Sequence, residues 1–219
     1  MFNLKYTKLN FPFDWINLTD LFNEKDAKDL AETYPKDHYR TITSNSNARQ
    51  YNYDVRALVS FEGKLQNENC LSDSWYRFAK FINSQGYRKL INEITRIDVS
   101  ELPVEANVYK YAKNCFMDAH QDLNTKILTQ VVYFNDKWNV EDGGCLNILK
   151  SKNTNDLHER ILPLIGNSII IIRSDNSWHS VEPTVCDKSR RSVTITFYKK
   201  GNHSPMWGQQ SYLLHENHD

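Results

Sequence analysis

The second half of the sequence alternates short apolar runs with turn-forming residues, and this pattern limits the fold more than any other feature of the chain. The runs are rich in β-branched and aromatic residues, which is typical of β-strands. They cover residues 105–112, 116–120, 127–134, 145–149, 168–173 and 191–198. Turn signals, such as Asn135-Asp136 and Gly143-Gly144, lie between them. Many short strands joined by turns predict a jelly roll or a barrel rather than a parallel sheet.

The first half contains three segments with helical periodicity. Asn23 and Ser72 can cap the first two segments, which we expect to end at Pro35 and Gly86. Apolar residues recur at helical spacing in all three: Ala27, Leu30, Ala31 and Tyr34, then Trp75, Phe78, Ala79 and Ile82, then Tyr87, Leu90, Ile91 and Ile94. The sequence therefore predicts a mostly β protein with flanking helices, of the α+β class.

Residues 36–70 have a different composition from the rest of the first half. Within them, the run from Thr43 to Asp54 is polar and rich in Asn and Ser, with aromatic residues at intervals, which favours a mobile loop. Loops beside a rigid scaffold often carry binding residues. Four residues of this segment, Arg49, Tyr51, Tyr53 and Arg56, are therefore candidates for substrate contact.

Length and charge place the chain among ordinary globular proteins. With 219 residues we expect one domain over 1–219, in which 1–104 form a helical and loop-containing support, 105–200 the β core and 201–219 a tail. Lys plus Arg and Asp plus Glu number 27 each, so no net field attracts nucleic acid or an anionic membrane. Neither a signal peptide nor a membrane span is recognisable. The four dispersed cysteines form no Cys-x-x-Cys, which favours a reduced, cytoplasmic protein.

Three residues of the β-rich half have the chemistry of metal ligands. His120 and Asp122 are two positions apart, so on an extended backbone their side chains lie on the same side. His179 follows later in the chain, directly after Trp178. Two imidazoles and one carboxylate make the facial triad that binds Fe(II) and leaves the opposite coordination positions open. By itself, however, a His-x-Asp pair also arises by chance.

The order of further motifs around this triad is more specific. They occur in the order Tyr111, His120-x-Asp122, Tyr133-Phe134-Asn135, Asp142-Gly143-Gly144, Pro163-x-x-Gly166, His179 and Arg190-x-Ser192. This order and spacing resemble the prolyl-4-hydroxylase-like branch of the Fe(II)/2-oxoglutarate-dependent oxygenases. The resemblance covers residues 107–198 closely and the N-terminal half loosely.

This resemblance implies a fold and a chemistry. It implies a double-stranded β-helix, or jelly roll, with the N-terminal helices packed on one sheet. It also implies that the enzyme uses Fe(II), 2-oxoglutarate as cosubstrate and O2, with release of succinate and CO2. Family members that halogenate have a small residue at the position of Asp122, so its presence here favours hydroxylation.

The distal carboxylate of 2-oxoglutarate requires a cation, for which an arginine fork is well suited. Strand alternation places Arg190 with Ser192 on a polar face and Arg191 on the opposite, apolar face. We therefore favour Arg190 over Arg191, although a register slip of one residue would reverse the assignment. The resemblance also implies that Tyr133 and Tyr111 contribute to this pocket. Trp178 is a candidate for shaping the mouth of the site.

Three classes of function are compatible with these residues. The favoured one is an oxygenase that hydroxylates an unactivated C–H bond of a small substrate, an amino acid or a derivative. The alternatives are a hydroxylase of protein side chains, including proline, and a non-catalytic metal-binding jelly roll. We expect neither a nucleic-acid nor a membrane partner. The remaining histidines, which include His38, His158, His203, His215 and His218, lack partners at ligand spacing, and we expect them at the surface.

Overall fold

The computed structural model describes residues 5–207, and in this part of the chain there are twelve β-strands and three α-helices. The strands are β1 (Lys5–Leu9), β2 (Trp15–Thr19), β3 (Arg40–Asn45), β4 (Gln50–Val59), β5 (Val104–Tyr111), β6 (Phe116–His120), β7 (Lys126–Tyr133), β8 (Leu146–Leu149), β9 (Leu157–Ile161), β10 (Ser168–Ile172), β11 (His179–Val181) and β12 (Arg190–Tyr198). The helices are α1 (Glu24–Glu32), α2 (Asp73–Ile82) and α3 (Gln85–Thr95). His215, His218 and most of the predicted tail lie outside the described residues.

The strands form one antiparallel sheet that curls on itself. Their order is β1-β2-β10-β7-β12-β5-β4-β6-β11-β8-β9, with β3 paired to β4. Strands far apart in this order nevertheless share a core, because Leu146 and Ile148 of β8 pack with Val131 of β7 and Ile169 of β10. The sheet therefore has a concave inner face and a convex outer face. The prediction of a mostly β protein is confirmed.

The three helices cover the convex face. Val193, Ile195 and Phe197 of β12 point outward into a core that includes Trp75 and Phe78 of α2. This is the predicted packing of the N-terminal helices on one sheet. None of the helices among residues 5–207 is both long enough and apolar enough to cross a membrane.

Side-chain caps explain where the helices begin. Asn23, Ser72 and Ser84 each accept a hydrogen bond from a backbone N–H in the first turn of α1, α2 and α3. The predicted stop at Gly86 is wrong. Helix α2 ends at Ile82, and Gly86 lies inside α3, because Ser84 already starts a new helix.

Residues 40–59 form a β-hairpin, so the predicted loop in this segment is wrong. Six residue pairs join β3 to β4, from Arg40↔Val55 to Asn45↔Gln50. The Thr41 hydroxyl donates to Asp54 across the hairpin at 2.7 Å, which explains how polar residues stabilise strands here. Residues 1–104 were predicted to form helices and loops that support the β core. The described part of this segment also supplies four strands of the sheet.

Candidate active site on the concave face

The sheet topology brings His120, Asp122 and His179 together. His120 is the last residue of β6, and its partner across the antiparallel pair is His179, the first residue of β11. Asp122 follows β6 by two residues. One ligand-type atom from each of the three lies within 4.8 Å of the others, and all three side chains are buried. We call these residues the His-Asp-His cluster.

The two imidazoles have the orientation and the charge of metal ligands. Nδ1 of His120 donates to the Asp118 carbonyl at 2.8 Å, and Nδ1 of His179 donates to the Ser177 carbonyl at 2.9 Å. A carbonyl can only accept, so each Nε2 is left with its lone pair. Burial is the largest influence on both pKa values and lowers them, that of His120 well below its ordinary value. Both rings are thus neutral at neutral pH, the form that binds metals.

The Asp122 carboxylate is held through both oxygens. Lys126 Nζ lies 2.6 Å from Oδ1, and the Thr129 hydroxyl donates to Oδ2 at 2.7 Å. Burial raises the pKa of Asp122, but the pKa still lies well below its ordinary range, because the Lys126 ammonium attracts the charged carboxylate and donates a hydrogen bond to it. The carboxylate is therefore ionised. Sequence reasoning missed Lys126 and Thr129, although strand alternation in β7 places Thr129 on the concave face.

A small cavity of about 80 Å³, the inner cavity, lies beside the cluster. Arg190 lies in its wall, is 1% exposed and donates from Nη1 to the Ser192 hydroxyl at 2.9 Å. Its guanidinium carbon lies 4.8 Å from the ring centre of Tyr111 and 5.2 Å from that of Tyr133. The structure thus brings the predicted set of Arg190, Ser192, Tyr111 and Tyr133 together next to the cluster.

Two polar atoms of this set are buried without a hydrogen-bond partner among residues 5–207. They are Nε of Arg190 and the hydroxyl of Tyr133. Burial raises the pKa of Tyr133 to about 12, so its hydroxyl keeps the proton and can donate. A buried donor without an acceptor costs about 1–3 kcal/mol. Arg190 lines the inner cavity, so an anionic group there could accept from its guanidinium.

Arg191 lies on the other side of the sheet. Its Nη1 donates to the Ala31 carbonyl of α1 at 3.3 Å, and its guanidinium packs over the ring of Tyr34. It borders a groove of about 980 Å³ next to α1, larger than the inner cavity but separated from the cluster by the sheet. The alternative assignment of Arg191 to the 2-oxoglutarate pocket is therefore not supported by its position.

A second cavity of about 290 Å³, the outer cavity, also adjoins the cluster. His120, Asp122 and Lys126 line both cavities, so the two cavities meet at the cluster. The β3–β4 hairpin contributes Arg49 and two tyrosines to the outer cavity.

The hairpin side chains form a stack along the cavity wall. The guanidinium of Arg49 lies 4.9 Å from the ring centre of Tyr51, which is 5.5 Å from that of Tyr53. Arg49 makes no ion pair with any residue of the described part of the chain. The segment predicted to contact a substrate thus borders the cluster, although it is a hairpin rather than a loop.

Two predicted substrate residues lie elsewhere. Arg56 is on the opposite face of β4 from Tyr53 and is fully buried, with its guanidinium 3.5 Å from Asp37 and donating to the Asn67 carbonyl. Alternation along β4 explains this placement, because Arg56 is an odd number of residues from Tyr53. Trp178 is half-buried and lies outside the walls of both cavities.

Residues 204–207 close one side of the outer cavity, which the sequence did not indicate. Met206 lines the cavity, and the Trp207 indole N–H donates to Oδ1 of Asn107 at 2.8 Å. Arg40 packs over the Trp207 ring at 3.9 Å and donates to the Met206 carbonyl. The outer cavity is therefore bounded by the hairpin, β5, β12 and this C-terminal segment.

Known proteins share this fold and part of this sequence. Residues 106–198 match the family model of the 2OG-Fe(II) oxygenase superfamily. A prolyl-4-hydroxylase from Pseudomonas putida superposes with a TM-score of 0.62 at 18% identity, covering 85% of this chain and 93% of that one. A prolyl hydroxylase from Trichoplax adhaerens, solved with a peptide fragment of hypoxia inducible factor, gives 0.61 at 14% identity, with coverages of 84% and 83%.

A third structure with the fold is the non-heme α-ketoglutarate-dependent epimerase SnoN of nogalamycin biosynthesis. It superposes with a TM-score of 0.53 at 14% identity, covering 84% of this chain and 78% of that one. No curated protein matches the sequence. At these identities the structural likeness concerns the fold alone. The match over residues 106–198 agrees with the resemblance inferred from the motifs: this region is similar to the 2OG-Fe(II) oxygenase superfamily, and the same region contains the His-Asp-His cluster.

Proposed function

We propose that this protein is a 2-oxoglutarate-dependent hydroxylase of a small substrate that carries a carboxylate, an amino acid or a close derivative. The observation that carries the proposal is the position of the His-Asp-His cluster where two cavities meet, one lined by the buried Arg190 and one lined by the half-buried Arg49. The curled antiparallel sheet of the protein is consistent with the jelly roll of this superfamily, which is the fold that we propose.

His120, Asp122 and His179 are the proposed ligands of one Fe(II). Two neutral imidazoles with free Nε2 atoms and one ionised carboxylate fit the preferences of this ion. The backbone carbonyls that hold both Nδ1 atoms fix the ring orientation, as outer-shell partners do in metal sites. When bound, the iron together with 2-oxoglutarate and O2 supplies the oxidising chemistry that converts C–H to C–OH and releases succinate and CO2.

Arg190 is the proposed anchor of the distal carboxylate of 2-oxoglutarate. Ser192 holds its guanidinium through Nη1, while its Nε and the hydroxyl of the neighbouring Tyr133 are buried without a hydrogen-bond partner among the described residues. An arginine and a tyrosine donor can bind one carboxylate in common. Tyr111, which packs against the guanidinium, restricts where Arg190 can lie.

The outer cavity is the proposed substrate site. Arg49 offers a cation without an ion pair at its edge, while Tyr51 and Tyr53 form an aromatic wall that excludes water. A cavity of about 290 Å³ that residues 204–207 close on one side suits a small molecule better than a polypeptide segment. A cytoplasmic location remains a prediction, consistent with four cysteines that are all free thiols.

Hydroxylation of a protein side chain is the second candidate. The fold is shared with two prolyl hydroxylases, one of them solved with a peptide. A screen for succinate release with Fe(II) and 2-oxoglutarate, over free amino acids, carrier-bound amino acids and proline-containing peptides, separates the two candidates. Stimulation by a free or carrier-bound amino acid is the expected result. Stimulation by peptides alone would favour the second candidate, and no release above that of His179→Ala would contradict both.

A further inference from the structure

Lys126 has no role in the function proposed above, yet it touches the cluster directly. It is the first residue of β7, four positions after Asp122, and its ammonium lies 2.6 Å from Oδ1 of that carboxylate. The side chains are 17% and 6% exposed, so the pair is largely shielded from water. Lys126 also lines both the inner and the outer cavity.

Thr129 provides a comparison at the other oxygen of the same carboxylate. Its hydroxyl donates to Oδ2 at 2.7 Å. Both residues orient Asp122 through a hydrogen bond of similar length, but only Lys126 brings a charge. If replacing Lys126 and replacing Thr129 change the affinity for a cation in opposite directions, we therefore attribute the difference to the charge of Lys126.

We propose that Lys126 competes with the metal ion for Asp122, acting as the counter-charge of the carboxylate before the metal binds. The proposal rests on the metal site proposed above. A divalent ion and an ammonium that share one buried carboxylate repel each other, and repulsion is stronger in a shielded site than in water. If the metal binds Oδ1, it displaces the ammonium. If the metal instead binds Oδ2, the ammonium stays near Oδ1 and repels the metal. In both cases Lys126 weakens metal binding.

The geometry allows the displacement. Lys126 has a long, flexible side chain, and the outer cavity that it lines offers space next to Asp122. Two properties follow. The lysine makes metal binding weaker than the three ligands alone would give, and it stabilises the metal-free protein, because a buried carboxylate that loses its partner is strongly unfavourable.

Titration with Mn(II), followed by the electron paramagnetic resonance signal of the free ion, tests this without turnover. The proteins are the parent, Lys126→Met, Lys126→Arg and Thr129→Val, each stripped of metal by chelation. We expect Lys126→Met to bind Mn(II) about tenfold more tightly or better, because the repulsion is removed. Thr129→Val should bind roughly 10- to 100-fold more weakly, as is usual when a neutral outer-shell partner is lost. Lys126→Arg keeps the charge and should resemble the parent.

Thermal unfolding gives a second readout. Metal-free Lys126→Met should unfold at a lower temperature than the parent, and Mn(II) should raise its Tm by more than it raises that of the parent. If Lys126→Met does not fold without metal, Lys126→Gln takes its place in the titration. Weaker or equal Mn(II) binding by the neutral variant would overturn the proposal, since Lys126 would then only hold Asp122 in place. Failure of the parent to bind Mn(II) above the level of His179→Ala would instead overturn the metal site itself.

Discussion

Arg190 and Arg191 are adjacent in β12, and their guanidinium groups lie on opposite faces of the curled sheet. Arg190 is buried on the concave face, beside Tyr111 and Tyr133. Arg191 reaches the convex face and donates to the Ala31 carbonyl of α1. Two neighbouring arginines are therefore available for entirely different tasks, anion binding in the inner cavity and attachment of a helix to the sheet.

Replacing these two arginines separately tests the cosubstrate site. Arg190→Ala should weaken 2-oxoglutarate binding by about 2–5 kcal/mol, because a buried carboxylate loses its charged partner. Arg191→Ala should leave that affinity nearly unchanged and reduce stability instead. Calorimetric titration of 2-oxoglutarate into the Mn(II)-loaded proteins measures the first effect, and thermal unfolding the second. The reverse pattern would place the cosubstrate on the convex side.

The separation of these two arginines could be predicted from sequence, because alternation in a strand depends only on neighbouring residue types. Val193, Ile195 and Phe197 are apolar and Ser192 and Thr194 are polar, and the structure places them on opposite faces as predicted. Helix caps are equally local, which explains why the starts of α1 and α2 were predicted correctly.

The parts that could not be predicted depend on turns and on contacts between strands, which the residue pattern within one strand does not reveal. The triad of His120, Asp122 and His179 was predicted from residue chemistry and motif order, but the strand pairing that joins His120 to His179 was not, because β11 has only three residues, too few for a recognisable pattern. The β3–β4 hairpin was predicted to be a loop because its sequence is polar. In the structure these polar side chains form hydrogen bonds across the two strands, such as that between Thr41 and Asp54. The contact of Lys126 with Asp122 depends on the turn after β6, which brings the two side chains together.

Removal of one proposed ligand should separate metal binding from folding. His179→Ala should lose Mn(II) binding and all 2-oxoglutarate turnover, because two ligands cannot hold the ion as three do. His158→Ala, at a histidine outside the cluster, is the matched control and should retain both. Circular dichroism should show the same secondary structure in both variants. Full metal binding by His179→Ala would rule out the proposed ligand set.

The stability of the sheet should depend strongly on the helices that cover it. Phe78 of α2 is fully buried and contacts the rings of Trp75 and Phe134. Phe78→Ala should lower the free energy of unfolding by about 3–5 kcal/mol, since it removes buried surface and leaves a cavity. Phe11→Ala, at a residue that is 57% exposed, should cost much less. Urea denaturation of the two variants provides the comparison, and similar losses would contradict the position of the core.

The last prediction concerns the substrate. Because β4 pairs with both β5 and β6, deleting residues 43–56 would damage the sheet, so a single substitution at the edge of the outer cavity is the better test. Arg49→Met keeps an unbranched, flexible side chain and removes its charge. We expect kcat/KM for a carboxylate-bearing substrate to fall about 10- to 100-fold, the effect of losing a hydrogen bond to a charged group. The affinity for 2-oxoglutarate should change little, because Arg190 lies in the other cavity.

Arg77→Met, on the exposed side of α2, is the matched control and should behave like the parent. If Arg49→Met uses the substrate as well as Arg77→Met does, the carboxylate is bound elsewhere and the proposed substrate class loses its structural support.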